Sequence, residues 1–185
     1  MAQVTVIDRD NNRTTVSYDA TKDPIKGGEG RIYFSDDRRS VLKFYWDHIL
    51  PKKDASYLRQ IVANSPEPHE PEHRLFGWPD GLIVEGNDRV VGVRMPNVAY
   101  DYWMEELIWY TDFEVFMVLE QKKRGTFRGR VKAAIDITNS IRRLNFSGVT
   151  QGDISGRNFL INPVEGRAAL IDLDGLIETG VQEGN

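Results

Sequence analysis

The sequence predicts an α+β fold, with strands concentrated in its first half and helices in its second. Up to about residue 96, several short stretches alternate apolar and polar residues, which is typical of half-buried strands. Turn-forming residues separate these stretches and indicate antiparallel hairpins. From about residue 100, apolar residues recur at the spacing of amphipathic helices.

Three strand pairs are expected in the first half of the chain. The first covers residues 1–20 and turns around Asn11. The second covers residues 31–46. The third covers residues 81–96 and uses Gly-Asn-Asp as its turn.

A helix and a connector lie between the second and third pairs. Residues 52–64 predict a short helix opened by Pro51, and a proline-rich connector follows at 65–81. Within it, HEPEH at 69–73 matches a zinc-protease pattern that requires a continuous helix. Because prolines interrupt any helix here, we interpret the segment as a connector and not as a zinc site.

The second half is predicted to be mainly helical. Helical segments are expected at 102–110 and 113–123, followed by a long helix over 128–146. Two short apolar strands, FLI at 159–161 and ALI at 169–171, close the chain as a hairpin.

Composition limits the functional class. The 185 residues, of which 40% are hydrophobic and 28% charged, suit one domain or two small lobes. No apolar run approaches the roughly 20 residues that span a bilayer, and no signal-peptide pattern opens the chain. The absence of cysteine and the net charge of −4 lead us to expect a cytoplasmic protein that binds neither membrane nor nucleic acid.

One segment departs from the acidic average. Residues 121–143 contain eight Lys/Arg and one Asp. We interpret this segment as a solvated surface, and a docking patch for an acidic partner is the alternative.

Polar residues beside the last two strands require a chemical explanation. Asp153 and Asn158 precede FLI, and Asp172 follows ALI. Beside buried strands we expect these carboxylates to be buried as well, and a buried carboxylate is costly unless it is paired or bound to a metal.

A glycine cluster and a strand lysine lie upstream. Gly27, Gly28 and Gly30 precede a predicted strand, and glycines of this kind let backbone amides approach phosphate oxygens. Lys43 lies among apolar neighbours on the next strand. Read alone, the glycines form a turn and the lysine is an edge residue.

Taken in order, these elements resemble the eukaryotic-like protein kinase superfamily over about residues 24–178. The stretches FGWPDGLIV, RVVGVRMPNV and VTQGDISGRNFLI resemble a divergent bacterial Ser/Thr kinase branch, of the helix-hairpin-helix-associated or minimal effector type. The resemblance implies a two-lobed fold. Its parts are an N-terminal hairpin extension at 1–23, a β-rich N-lobe at 24–96 and a minimal or truncated, mostly helical C-lobe at 97–185.

The resemblance assigns roles to the polar residues and implies ATP and Mg²⁺ as cofactors. Asp153 corresponds to the catalytic base and Lys43 to the phosphate-binding lysine. Asn158 and Asp172 correspond to the metal ligands.

The same resemblance supplies a nucleotide site. Met95 falls at the gatekeeper position, and the Pro96 carbonyl and Val98 amide are expected to meet adenine. The glycine loop is expected to cover the phosphates through Gly27, Gly28 and Gly30.

Several positions depart from the family pattern. The helix at 52–64 has no glutamate to pair with Lys43, and Asp54 is the nearest acid. Ser155 stands where the family pattern has a lysine, two residues after the catalytic base, and Arg157 is the nearby cation that could take the place of that lysine. Only thirteen residues (173–185) follow Asp172, as expected for a shortened chain or a minimal kinase.

The expected function is therefore ATP- and Mg²⁺-dependent transfer of phosphate to Ser/Thr of a protein whose identity the sequence does not give. A pseudokinase or nucleotide-binding interaction module and a small-molecule kinase remain as alternatives. We expect a monomer in the cytoplasm, delivered into a host cell if it is an effector.

Overall fold

The structure is a computed structural model. Two predicted helices, at 102–110 and 113–123, lie outside the residues that it describes, as do the 69–73 segment and Asp153. The described residues are 1–66, 75–99, 125–152, 155–162 and 165–178.

The chain divides into two compact units, and its fold class is α+β. The first unit contains Met1–Ser65 and Trp78–Tyr100. The second contains Pro66–Gly77 and Asp101–Asn185. The segment between the predicted helix and the third hairpin is thus shared between the two units.

A seven-stranded antiparallel sheet forms most of the first unit. Its strands lie in the order β2-β1-β6-β7-β5-β4-β3. They are β1 (Ala2–Asp8), β2 (Arg13–Tyr18), β3 (Ile25–Lys26), β4 (Gly30–Phe34), β5 (Ser40–Tyr45), β6 (Gly81–Glu85) and β7 (Arg89–Pro96). All three predicted strand pairs are confirmed, as β1–β2, β4–β5 and β6–β7.

The pairing of β1 with β6 joins distant parts of the sequence. Thr5 pairs with Val84 and Asp8 with Gly81, so the first hairpin extends the same sheet as the third. Alternation places Val4, Val6 and Ile83 on one face of the sheet, where a core cluster forms. The cluster contains Val4, Val6, Leu42, Phe44, Ile83 and Val91.

The predicted helix begins later than expected. Pro51 lies in a 3-10 turn over Leu50–Lys52, and helix α1 covers Ala55–Ala63. Asp54 is the N-cap of α1 because its carboxylate accepts the backbone N–H of Ser56 at 2.7 Å. The prediction that Pro51 opens the helix is therefore wrong, since the cap at Asp54 sets the first turn.

The long helix of the second unit is confirmed. Helix α2 covers Phe127–Phe146, and the hydroxyl of its N-cap Thr126 accepts the N–H of Gly129 at 3.0 Å. Among the helices that the structure describes, none is both long and apolar enough to cross a membrane.

Two small antiparallel sheets complete the described part of the second unit. Strands β9 (Phe159–Asn162) and β10 (Arg167–Leu170) form the predicted closing hairpin. Strands β8 (Val149–Gln151) and β11 (Leu176–Glu178) form the other pair.

A short connector segment packs on β10. The N–H of Leu170 donates to the carbonyl of Leu75 at 2.8 Å, and the N–H of Gly77 donates to the carbonyl of Leu170 at 2.8 Å. Phe76 and Leu170 are both fully buried. Part of the proline-rich connector thus belongs to the core of the second unit.

Candidate functional site

Lys43 lies on a central strand of the first unit. It pairs with Ile32 of β4 on one side and with Val93 of β7 on the other. Only 5% of the residue is exposed. Because side chains alternate along a strand, Lys43 shares its sheet face with Val41 and Tyr45.

A carboxylate from the glycine turn meets this lysine. Glu29 Oε2 lies 3.4 Å from Lys43 Nζ and 2.9 Å from Lys53 Nζ. A buried ammonium is costly without a counter-charge, and Glu29 supplies one. Glu29 and Lys53 were both missed by the sequence reasoning.

Asp54, the nearest acid in sequence to the expected position, has another role. Its carboxylate accepts hydrogen bonds from the hydroxyl and the backbone N–H of Ser56, and these bonds lower the pKa of Asp54 below its usual value. A short side chain engaged in capping stabilises the first turn of α1. The lysine partner comes from the glycine turn instead.

The glycine turn is tied to the end of β5. The N–H of Gly27 donates to the carbonyl of Gly30 at 2.8 Å, and the indole N–H of Trp46 donates to the carbonyl of Gly27 at 3.1 Å. The backbone N–H of Trp46 also donates to the carbonyl of Glu29 at 3.0 Å. These bonds fix the turn beside Lys43.

The glycines of the turn have different surroundings. A Cβ added at Gly30 would lie 2.2 Å from the carbonyl oxygen of Phe44, so glycine is required there by the close approach of β4 and β5. A Cβ at Gly28 would meet nothing within 4 Å. Of the three glycines in this turn, Gly28 is therefore the one beside open space, which a ligand could enter.

The predicted adenine-binding residues lie at and after the end of β7. Met95 is buried and pairs with Val41, so it lies on the same sheet face as Lys43. Pro96 is the last residue of β7, and Val98 lies in the turn that follows.

This turn is anchored by Asn97. Its backbone N–H donates to the carbonyl of Arg39 at 2.8 Å, and its side-chain amide donates to the carbonyl of Arg38 at 2.8 Å. Its side-chain oxygen accepts the N–H of Ala99 at 3.2 Å. The first two bonds fix the segment that contains Pro96 and Val98 against the β4–β5 turn, and the third lies within the segment itself.

In the second unit, Asn158 and Asp172 are brought to one end of the β9–β10 hairpin. Asn158 closes a 3-10 turn over Gly156–Asn158 and is 7% exposed. Its carbonyl accepts the N–H of Ile171 at 2.7 Å. Hairpin pairing therefore makes Asp172 a near neighbour of Asn158 although fourteen positions separate them in sequence.

Asp172 has an unusual backbone conformation. Its φ is 62°, in the left-handed region that disfavours residues with a Cβ. The other described non-glycine residues with positive φ, which are Asn11, Arg38 and Asp88, all lie in hairpin turns. The side-chain amide of Gln151 in β8 donates to the carbonyl of Asp172 at 2.9 Å and holds this conformation.

The expectation that Asp172 is buried is wrong. Asp172 is exposed, whereas Asp174 is 2% exposed. Strand β10, in which Ala168, Ala169 and Leu170 are all buried, ends at Leu170, and the backbone turns into the left-handed conformation at Asp172. The buried acid of this segment is therefore Asp174.

The two candidate metal ligands that the structure describes in the second unit both offer oxygen atoms. Asn158 offers an amide oxygen and Asp172 a carboxylate, and both groups suit a hard cation such as Mg²⁺. Among the described residues, no group of three or more His, Cys, Asp and Glu could hold a metal ion. Asp153, the candidate base, lies outside the described residues.

The sequence matches no protein-family model and no curated protein.

Proposed function

We propose that this protein is an ATP- and Mg²⁺-dependent phosphotransferase of protein-kinase-like fold that transfers the γ-phosphate of ATP to a Ser or Thr hydroxyl of a protein. The observation that carries the proposal is the buried Lys43 ammonium, held by a carboxylate of the neighbouring glycine turn. A lysine kept in place at such a cost suits the recognition of a phosphate anion.

The face of the sheet around Lys43 supports a nucleotide site. Val41, Val93 and Met95 provide apolar surface beside the ammonium, and a planar base can pack against such side chains. The anchored segment after β7 would present the Pro96 carbonyl and the Val98 amide to the edge of adenine.

The chemical step would use Asp153 as the proton acceptor. The substrate hydroxyl oxygen forms a bond to the γ-phosphorus, the bond from that phosphorus to the bridging oxygen of ADP breaks, and the hydroxyl proton passes to the Asp153 carboxylate. Lys43 would offset the negative charge of the phosphate oxygens. Nothing is oxidised or reduced.

Asn158 and Asp172 fit the metal that this reaction requires. Their oxygen donors and their proximity across the hairpin suit Mg²⁺, which would neutralise charge on the phosphate oxygens. The strained φ of Asp172 supports a functional role, because such conformations cost about 1–3 kcal/mol and cluster at active sites.

Transfer of labelled phosphate from ATP tests the proposal. Wild-type protein with Mg²⁺ should label itself or a protein in a lysate, and acid hydrolysis should release phosphoserine or phosphothreonine. Lys43→Met should reduce labelling by at least about tenfold, because it removes a charge-assisted bond to phosphate. The matched control is Lys22→Met, which removes an exposed lysine of the same unit and should label normally.

Two results would contradict the proposal in different ways. Binding of ATP without transfer to any protein or small molecule would favour a nucleotide-binding module. Label recovered only in small molecules would favour a small-molecule kinase.

A further inference from the structure

The outward face of α2 carries a row of apolar side chains. Ala133 and Leu144 are buried on the inner face of the helix, and β8, β9 and β10 pack closely on α2. On the opposite side, six positions recur every three or four residues and therefore lie in one row along the helix. This row, called the α2 stripe below, contains Phe127, Val131, Ile135, Thr138, Arg142 and Phe146.

The apolar members of the α2 stripe are accessible. Val131, the least exposed of them, is 42% exposed, and Phe146 is 83% exposed. One end of the stripe borders an open groove of about 560 Å³, lined by Thr138, Ile141, Arg142, Asn145 and Phe146. An open groove along one helix suits the side chains of a second helix better than a small molecule, which a binding site normally encloses.

The charges around the α2 stripe are positive. Helix α2 contains five Lys/Arg and a single acid, Asp136. The carboxylate of Asp136 accepts the backbone N–H of Ala168 in β10 at 3.2 Å, so the acid faces the inner side of the helix. Arg128 and Lys132 flank the stripe and are exposed. The accessible face of α2 therefore combines apolar surface with positive charge.

Arg142 lies within the stripe rather than beside it. A helix that lay in a membrane surface through this face would have to bury the guanidinium among apolar side chains and acyl chains, which is costly. A carboxylate of a protein partner would instead form charge-assisted hydrogen bonds with it. The position of Arg142 thus favours an acidic protein partner over a lipid surface.

We propose that the α2 stripe is a docking surface for an acidic amphipathic helix of a partner protein. The apolar face of that helix would pack against Ile135 and Phe146, and one of its carboxylates would pair with Arg142. Exposed apolar surface rimmed by polar residues marks interaction sites of this kind.

Two synthetic helical peptides of about 20 residues, the length of α2, test the charge of the partner. Both carry leucines on one face, and the other face carries glutamates in one peptide and lysines in the other. Fluorescence anisotropy should show that the glutamate peptide binds at least about tenfold more tightly. Added salt should reduce this difference. Equal affinities of the two peptides would overturn the proposal.

Ile135→Ser tests the location of the site. It removes apolar surface from the middle of the stripe and should weaken binding of the glutamate peptide by about tenfold. Ile25→Ser is the matched control, because Ile25 of β3 is 57% exposed and Ile135 is 53% exposed. Both variants should melt close to wild type, since neither side chain is in the core. Equal peptide affinities of the two variants would overturn the proposal.

Arg142→Gln tests the charge pair. It should lower the affinity for the glutamate peptide by about tenfold and should not lower the affinity for the lysine peptide. Arg143→Gln is the control, because it removes the same charge from an exposed neighbour about 100° further round the helix. An equal loss in both variants would reduce the effect to general charge attraction and would overturn the proposal.

Other occupants of the α2 stripe have their own signatures. Vesicles that contain phosphatidylserine and bind wild type but not Ile135→Ser would identify a lipid surface. A mass that rises with concentration for wild type but not for Ile135→Ser would identify a second copy of this chain. Either result, without a preference for the glutamate peptide, would overturn the proposal. None of these measurements uses a nucleotide, so the docking surface and the proposed function can fail separately.

Discussion

The two units hold their candidate residues in opposite ways. In the first unit, Lys43 lies on a strand with a paired neighbour on each side, and its charge is almost completely buried. In the second unit, Asp172 lies beyond the end of a four-residue strand, exposed and in a left-handed conformation.

Because of this difference, we expect substitutions in the two units to have different effects on stability and on function. A buried charge is coupled to folding through its partner, because the ammonium left without a counter-charge in the interior is unfavourable. An exposed carboxylate in a strained conformation contributes little to folding, and the strain itself opposes it. We therefore expect changes in the glycine turn to affect stability and binding together, whereas changes at Asp172 should affect chemistry with little loss of stability.

The largest effect is expected for Asp153→Asn. This change keeps the size of the side chain but removes the proton acceptor, so phosphate transfer should fall by at least about a hundredfold. The melting shift caused by ATP should remain, because the base works in the transition state rather than in binding. Undiminished transfer would remove Asp153 from the mechanism. Asp10→Asn, in an exposed turn, should transfer normally.

Asp172→Asn should remove most of the Mg²⁺-dependent part of ATP binding. The affinity for ATP in the presence of Mg²⁺ should therefore fall by about tenfold. Asparagine tolerates the left-handed region, so the fold should persist and the loss can be assigned to the charge. Asp88→Asn is a matched control, because Asp88 has a φ of 61° in a hairpin turn of the other unit. Titration calorimetry with and without Mg²⁺ measures both variants, and a response of Asp172→Asn equal to that of the control would contradict the assignment.

Two glycine substitutions should separate folding from binding within the glycine turn. Gly30→Ala places a Cβ against the Phe44 carbonyl and should lower the free energy of unfolding by about 1–3 kcal/mol. Gly28→Ala meets nothing and should stay within about 0.5 kcal/mol of wild type. If Gly28 faces the phosphates, its variant should nonetheless bind ATP more weakly. Urea unfolding and ATP titration of both variants check this. Unchanged ATP affinity in Gly28→Ala would show that Gly28 does not contact the phosphates.

The smallest effect is expected for Asp54→Ala. Loss of the cap should lower the melting temperature slightly while ATP affinity stays unchanged, because Asp54 caps α1. The pKa of Asp54 is lowered in the folded state, so its stabilisation is present above the unfolded pKa of about 3.9 and is lost as pH falls through the lower folded value. The difference from wild type should therefore shrink in strong acid. Asp54→Ser, which keeps a capping oxygen, should melt close to wild type near neutral pH. A clear loss of ATP affinity in Asp54→Ala would instead indicate that Asp54 pairs with Lys43.

Local patterns were enough to predict much of the fold. The alternation of β1 and β2, the Gly-Asn-Asp turn before β7 and the periodicity of α2 all depend on residues close in sequence, and the structure confirms them. The pairing of β1 with β6 could not be predicted in this way, because it joins strands more than seventy residues apart.

The candidate site was predictable in its residue types and less so in its contacts. Lys43, Asn158 and Asp172 stood out by their spacing, but the partner of Lys43 did not. Glu29 reaches it because the β4–β5 register pairs Gly30 with Tyr45 and so brings the glycine turn to the end of β5. The exposure of Asp172 depends on a single backbone angle that no pattern of apolar residues reports.

Calorimetric titration of the wild-type protein with ATP, in the presence and absence of Mg²⁺, tests the central claim most directly. The proposed phosphotransferase should bind ATP at one site per chain, at least about tenfold more tightly with Mg²⁺ than without it. Adenosine, which lacks phosphates, should bind far more weakly and independently of the metal. No binding of ATP, or binding that Mg²⁺ leaves unchanged, would contradict the claim.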